Sequence, residues 1–320
     1  MKNYLVPNLK NVELIYFRDG YGKGLLELGE QNKNVVALCC DLIDSTRTKW
    51  FADKFPERFI EVGVAEQNMA GLGAGLAMAG KIPFISSYAI FSPGLNWAQI
   101  RLHIAYGNTN VKIMGAHAGI SVGPDGATHQ ALEDVALTRV LPNMVVIAPC
   151  DYEECRKAII AVGKYIGPAY VRFGREKVPL ITTLKTPFEI GKAEIFRDGS
   201  DVAVIACGSL VYEALVAAEE LDKKGISVCV VNCHTIKPID KKTLIKVAKK
   251  CKKIVTAEEH QVIGGLGSAV AEVLSSEFPV YIKMIGVKDR FGESGEPKEL
   301  MEKYRLTSKE IIKEINNLLK

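Results

Sequence analysis

The pattern that most limits the fold of this chain is an alternation of continuous apolar runs with helical stretches. NVVALCC (34–40), FIEVG (59–63), IPFIS (82–86), VKIMGA (111–116), MVVIAP (144–149) and AYVRF (169–173) are apolar along their length rather than at every second residue. Such runs suit strands of a parallel sheet, which is covered on both faces. Helical stretches fall between them, notably 65–79, 96–106, 131–140 and 151–164. The order breaks over 178–200, a segment with prolines, glycines and threonines that reads as a linker plus a lead-in hairpin. It resumes with DVAVIACG (201–208), ISVCVVN (226–232), KIVTAEE (253–259) and VYIKMIG (280–286), separated by helices at 210–224, 240–251 and 266–276, and two short helices close the chain. The expectation is two three-layer α/β domains: a mostly parallel sheet over 1–185, then a smaller doubly wound domain over 190–320.

Composition narrows the function. With 48% hydrophobic and 24% charged residues in 320, the chain has the balance of a soluble globular protein with material for two cores. A net charge of +4 without a Lys/Arg block or basic–aromatic interleaving argues against nucleic acid. Lys241, Lys242, Lys249, Lys250, Lys252 and Lys253 read as the wet face of a helix. The N-terminus lacks a signal-peptide pattern, and the uncharged stretch that follows Glu66 is punctuated by Gly and too short for a bilayer. The eight scattered cysteines do not have metal-ligand spacing and read as reduced, buried thiols of a cytoplasmic protein.

VGVAEQNMAG (62–71) places a single carboxylate, Glu66, in an apolar run. An uncompensated buried charge is costly, so the group needs a partner or a task. Its position at a strand end and in the first turn of a helix is where open α/β sheets bind ligands. The helix dipole favours the carboxylate there and a dry wall favours the neutral acid, so the group could exchange a proton, or it could simply offset the dipole. Gly71 and Gly75 in the same helix suggest tight helix contact across a subunit interface. A second Gly-rich segment, HAGISVGPDGATHQALED (117–134), carries His117, Asp125 and His129 on a loop after a strand, with Thr128 as a candidate cap for a helix beginning near Ala131.

GVAEQNMAGLGAGLA and SVGPDGATHQALED, with SYAIFSPG (87–94), CDLIDSTRTKW (40–50), VRFGREKVP (171–179) and AEEHQVIGGLGSAVAE (257–272), resemble the thiamine-diphosphate enzymes and most closely transketolase, over about residues 12 to 320. By this resemblance Glu66 is the catalytic glutamate. It bonds N1′ of the aminopyrimidine and helps the ring's 4′-nitrogen take the thiazolium C2 proton, after which a two-carbon unit passes from a ketose to an aldose. The resemblance further implies Tyr88, Phe91, Asp41 and Leu42 around the cofactor, His129 near the reacting carbon, and Asp125 on a substrate hydroxyl. It also implies Arg18, Ser45, His117 and Arg175 as sugar-phosphate groups, with Arg172 competing with Arg175.

The family's GDG…N segment, which holds the diphosphate and a divalent metal (Mg or Ca), has no counterpart here. The chain therefore resembles the C-terminal half of a split transketolase. The resemblance implies a separate N-terminal subunit, two copies of each chain as a heterotetramer, and a place in pentose phosphate metabolism. Competing readings are a 2-oxo acid dehydrogenase β subunit, whose chains lack the DG-x-THQ loop, and a deoxyxylulose-phosphate synthase, which shares that loop but not a residue like His117. A third is a non-catalytic subunit, against which Glu66, Asp125 and His129 argue.

Overall fold

A computed structural model describes all residues from 1 to 320. Fourteen strands run in chain order: β1 Leu14–Tyr16, β2 Val35–Cys39, β3 Phe59–Glu61, β4 Ile82–Tyr88, β5 Lys112–Ala116, β6 Val145–Ile147, β7 Ala169–Arg172, β8 Lys177–Pro179, β9 Glu194–Arg197, β10 Val202–Ala206, β11 Val228–Asn232, β12 Thr235–Lys237, β13 Lys253–Gln261 and β14 Tyr281–Val287. They form a seven-stranded sheet in the order β12-β6-β7-β5-β4-β2-β3, a five-stranded sheet in the order β14-β13-β10-β11-β9, and the antiparallel pair β1-β8. Each apolar run of the sequence is a strand, and within the large sheet all neighbours from β6 to β3 pair in parallel. The two mostly parallel α/β layers are those expected.

Three details differ from the sequence reading. The segment after β8 does not form a lead-in hairpin: β9 pairs antiparallel with β11, two strands further on. β12, from the C-terminal half of the chain, joins the first sheet by pairing antiparallel with β6, so the two halves share a sheet edge as well as an apolar core. The helix expected over 131–140 is only Asp134–Arg139 and starts from Glu133. Thr128 does not cap it; its hydroxyl pairs with His129 Nδ1 at 3.0 Å.

Periodicity also did not single out the helix Phe17–Gln31, because Gly20, Gly22, Gly24 and Gly29 depress its helical signal. Those glycines admit neighbours: a Cβ on Gly20 would run into the carbonyl of Tyr152, and one on Gly24 would stand 2.9 Å from the Arg156 carbonyl. In the helix Glu66–Met78, Gly73 is the residue pressed on the sheet, with Ile85 2.9 Å from where its Cβ would be, whereas the space over Gly71 and Gly75 is open. Lys241, Lys242, Lys249 and Lys250 lie on the exposed face of the helix Lys241–Cys251, and all eight cysteines are buried free thiols. No helix is long and apolar enough to cross a membrane.

A charged pair lies where the halves meet. Asp134 accepts hydrogen bonds from Arg172 Nε (2.8 Å), Arg172 Nη2 (3.2 Å) and the Tyr170 hydroxyl (2.6 Å), and all three side chains are buried. Arg172 Nη2 also donates to the main-chain carbonyl of Glu259 at 3.2 Å. Removing one member strands the other. Asp134→Ala should cost about 3–5 kcal/mol in urea unfolding, and the double change Asp134→Leu, Arg172→Met should recover most of it. Equal destabilisation by both variants would contradict this account.

Candidate active site

The site forms at the carboxyl ends of β2, β4 and β5, where the register fixes its first members. Ser87 lies opposite Gly115 and Tyr88 opposite Ala116, so the residue after β5, His117, comes up beside the Tyr88 ring. The two rings stack with centroids 3.9 Å apart. Phe91 lies parallel to Tyr88 at 6.1 Å, and His129 meets both edge-on, at 5.5 Å from Phe91 and 6.2 Å from Tyr88. Side chains alternate along a strand, so Ser87 points the other way from Tyr88. Its hydroxyl donates to Glu66 Oε1 at 2.8 Å. Glu66 is 3% exposed, and its main-chain carbonyl accepts from Asn96 Nδ2 at 3.0 Å. The first turn of the helix is thus pinned from two sides. Ser87, the first residue of the SYAIFSPG segment, and Asn96 belong to the arrangement but were not singled out in sequence, since neither carries charge or a distinctive spacing.

Beside the aromatic group opens a cleft of about 460 Å³ lined by Arg18, Asp44, Ser45, Arg47, Tyr88, His117, Asp125 and Arg175. All but Asp44 and Arg47 were singled out in sequence and are brought together here. Arg47 is the capping residue of a one-turn helix, with φ +67°; its Nε donates to Asp19 Oδ1 at 2.6 Å. Arg18 donates to the Ser45 carbonyl at 3.2 Å, and its buried Nε has no partner. Burial and the neighbouring Arg47 push the Arg18 guanidinium below its usual range. Arg175 donates to the Val122 carbonyl at 3.1 Å and lies 3.6 Å from Asp125.

One expectation is refined. Arg172 does not line the cleft, because Asp134 holds it in the interior; Arg175 does. Asp41 and Leu42, expected near the cofactor, sit at the end of β2, outside this cleft. Asp41 has φ +57°, and its N–H donates to Glu61 Oε1 at 2.7 Å, the oxygen that also takes the Gly63 N–H at 2.9 Å.

Chemically, the site offers a buried carboxylate at a helix start, a layer of aromatic rings, and guanidinium groups whose planar forks suit an oxyanion. His117 is 1% exposed, and its Nδ1 has no protein partner. Burial, then the charges of Arg18, Arg175 and Arg47, push its pKa down to about 3. The ring is neutral at ordinary pH, with a polar atom left for a ligand.

Comparisons with known proteins point one way. The family described as transketolase, pyrimidine binding domain, matches residues 14–180, and that described as transketolase, C-terminal domain, matches residues 191–311. The chain is 48% identical to a protein of Methanocaldococcus jannaschii provisionally named transketolase C-terminal section, over 95% of this chain and 96% of that one. It is 43% identical to a 6-deoxy-6-sulfo-D-fructose transketolase subunit of Clostridium sp., covering 93% and 92%, and 38% identical to one of the apulose-4-phosphate transketolase subunits of Phocaeicola vulgatus, covering 94% and 96%. Among solved structures, one described as a split gene transketolase, inactive β4 tetramer, superposes with a TM-score of 0.90 at 46% identity, over 95% of this chain and 98% of that one. The transketolase of Campylobacter jejuni shares the fold at a TM-score of 0.82 and 23% identity, with this chain spanning 49% of its length.

The neutral His117 has a thermodynamic consequence. The unfolded chain takes up a proton there near pH 6.5, whereas the folded protein does so only near pH 3. Stability is therefore lost as pH falls through that window, by up to about 1.4 kcal/mol per pH unit for this group. His117→Gln should lower the slope of unfolding free energy against pH between about 6 and 4 by up to one proton. An unchanged slope in urea melts across that range would show that the ring titrates normally.

Proposed function

This chain belongs to the transketolase family, and we propose that it is the C-terminal subunit of a split, thiamine-diphosphate-dependent transketolase that moves a two-carbon ketol unit from a ketose phosphate to an aldose phosphate. Family membership marks the chain as part of a transferase, and its pyrimidine-binding domain indicates thiamine diphosphate. The observation that carries the finer reading is the convergence of Glu66, the Tyr88–Phe91–His117–His129 rings and the arginine cleft at one end of one sheet.

The residues present fit the cofactor's pyrimidine. Glu66 commits Oε1 to Ser87 and has its other oxygen free to bond a ring nitrogen and hold a proton there. Tyr88 and Phe91 supply flat apolar faces beside it. When bound, the thiamine group supplies the carbanion stabilisation that two-carbon transfer needs. His117, stacked on Tyr88 at the cleft, and His129, edge-on to Tyr88 and Phe91, would bond oxygens of the reacting sugar, and Asp125 in the cleft would read a hydroxyl. Arg18 and Arg175, with Ser45 and now Arg47, hold the sugar's anionic end, and Asp41 and Leu42, outside the cleft at the end of β2, lie on the cofactor side of the proposal. The relatives named for a 6-sulfo sugar and a 4-phosphate sugar support an oxyanion at that end.

The diphosphate and its divalent metal belong, on this reading, to the N-terminal partner chain. The exposed Val64 (81%) and Met78 (82%) flanking the open face of Gly71 and Gly75 suit packing against another chain. The neighbour described as an inactive β4 tetramer supports both self-association and dependence on a second chain. Two copies of each chain in the cytoplasm complete the proposal.

Two measurements test it. Coexpressed with a partner bearing the diphosphate-binding segment and assayed for transfer from xylulose 5-phosphate to ribose 5-phosphate, and then with other anionic sugars, the complex should be active. Glu66→Ala should lower kcat by about 10²–10⁴-fold while the complex still assembles. Wild-type turnover in that variant would refute the role of Glu66. By calorimetry this chain alone should bind thiamine diphosphate far more weakly than the two-chain complex; equal affinity would place the diphosphate site in this chain.

A further inference from the structure

The five-stranded sheet reverses its strand order between β10 and β13, and in doubly wound sheets the crevice beyond such strand ends is the usual ligand site. Here the crevice is filled by protein. The residual space, about 20 Å³ among Phe17, Ala118, Arg172, Gly208, Ser209 and Glu259, holds little more than a water molecule. The group that fills it from the C-terminal domain is Glu259, 7% exposed. Its Oε1 accepts the Ser121 N–H at 2.7 Å and its Oε2 accepts the Ser209 hydroxyl at 3.1 Å. Gly119 has φ +95°, and a Cβ there would collide with the same carboxylate.

The other end of the loop is gripped as well. The Gln261 N–H donates to the Leu132 carbonyl at 2.8 Å. Gln130 Nε2 donates to the carbonyls of Ile120 (3.1 Å) and Glu293 (3.0 Å). Pro297 comes within 3.0 Å of the Cβ position of Gly123, and Ser294 within 2.5 Å of that of Gly126.

We propose that Glu259 is a positioning residue: a built-in occupant of the C-terminal domain's crevice that fixes the backbone of the 117–126 loop, so that this domain serves as the template for His117, Asp125 and His129. The inference rests on the reading of those three as substrate contacts. The carboxylate commits one oxygen to the loop and one to its own domain, so it transmits the position of β10 and β13 to the residue four places after His117. A buried charged acceptor on a backbone N–H is among the stronger hydrogen bonds. Glutamine can reproduce both contacts, with its carbonyl taking the Ser121 N–H and its amide donating to Ser209; alanine can reproduce neither.

Hydrogen exchange on the purified chain tests this without a partner or an assay. Glu259→Ala should speed exchange of amides in 117–126 by about tenfold, as expected for one lost charge-assisted bond, while β4 and β10 keep their protection. Glu259→Gln should stay within about twofold of the wild type. No change at 117–126, or uniform acceleration across both domains, overturns the proposal. If Glu259→Ala does not fold, Ser209→Ala must show a smaller acceleration at the same amides, and its absence overturns the proposal equally. In the active two-chain complex, Glu259→Ala should raise KM for the sugar by about tenfold with a smaller fall in kcat and unchanged thiamine diphosphate affinity. A parallel loss of cofactor affinity would make the residue a general structural one and overturn the assignment. A wild-type complex without activity would defeat the functional reading alone, since the exchange result stands apart from it.

Discussion

The arrangement depends on a buried ion pair. Asp134 and Arg172 have both left water, a step whose cost only close geometry and further hydrogen bonds can offset. The structure supplies them: two N–H groups and one O–H converge on Asp134, and the remaining reach of Arg172 goes to the Glu259 carbonyl of the other domain. Asp134 also opens the short helix that ends the Gly-rich segment. The pair therefore sets the distal end of the segment that His117 begins. A loop built around Gly119, Gly123, Pro124 and Gly126 cannot hold the side chains of His117, Asp125 and His129 in place by its own propensity. It holds them because both its ends and its middle are tied to strands and helices of the two domains.

The Glu66 arrangement follows the same logic on a smaller scale. A carboxylate at 3% exposure in an apolar run needs donors, and one comes from Ser87, the residue whose strand position turns it toward the helix and away from the Tyr88 face. Asn96 fixes the backbone of the same turn. Neither residue carries charge into the interior, so the acid keeps a free oxygen without a competing salt bridge. In this it differs from Asp134, both of whose oxygens are already bonded.

The sequence disclosed the sheets well, because parallel strands buried on both faces announce themselves as continuous apolar runs. It pointed to the candidate site through local motifs: Glu66, His117, Asp125 and His129 lie in two short segments of the chain. It did not disclose what depends on tertiary placement. β12 is three residues long and pairs outside its own domain, which no periodicity can reveal. The helix Phe17–Gln31 hid behind glycines that exist for contact with another helix. Arg172 and Arg175 are near neighbours on one segment and indistinguishable by type; only the buried Asp134 decides which of them is withdrawn from the cleft. Arg47 and Glu259 carry no local signal, because their partners, Asp19 and Ser121, are distant in the chain.

The cleft has its own electrostatic balance. Arg18, Arg47 and Arg175 line one open space, and burial first, then the charge of Arg47, pushes the half-buried Arg18 guanidinium below its usual range. Asp19 offsets Arg47 at 2.6 Å, while Asp125 stands 3.6 Å from Arg175, too far for a strong hydrogen bond. An incoming oxyanion thus gains attraction to Arg18 and Arg175 and also relieves the repulsion between them, whereas a neutral sugar terminus gains neither. The same reasoning separates the roles of the acids. Asp19 holds Arg47 in place from outside the cleft, but Asp125 lines it, so an anion must settle beside a carboxylate as well as beside the arginines. A ligand that carries both a hydroxyl and an anionic group has a partner for each, the combination that the proposed sugar-phosphate substrate would bring.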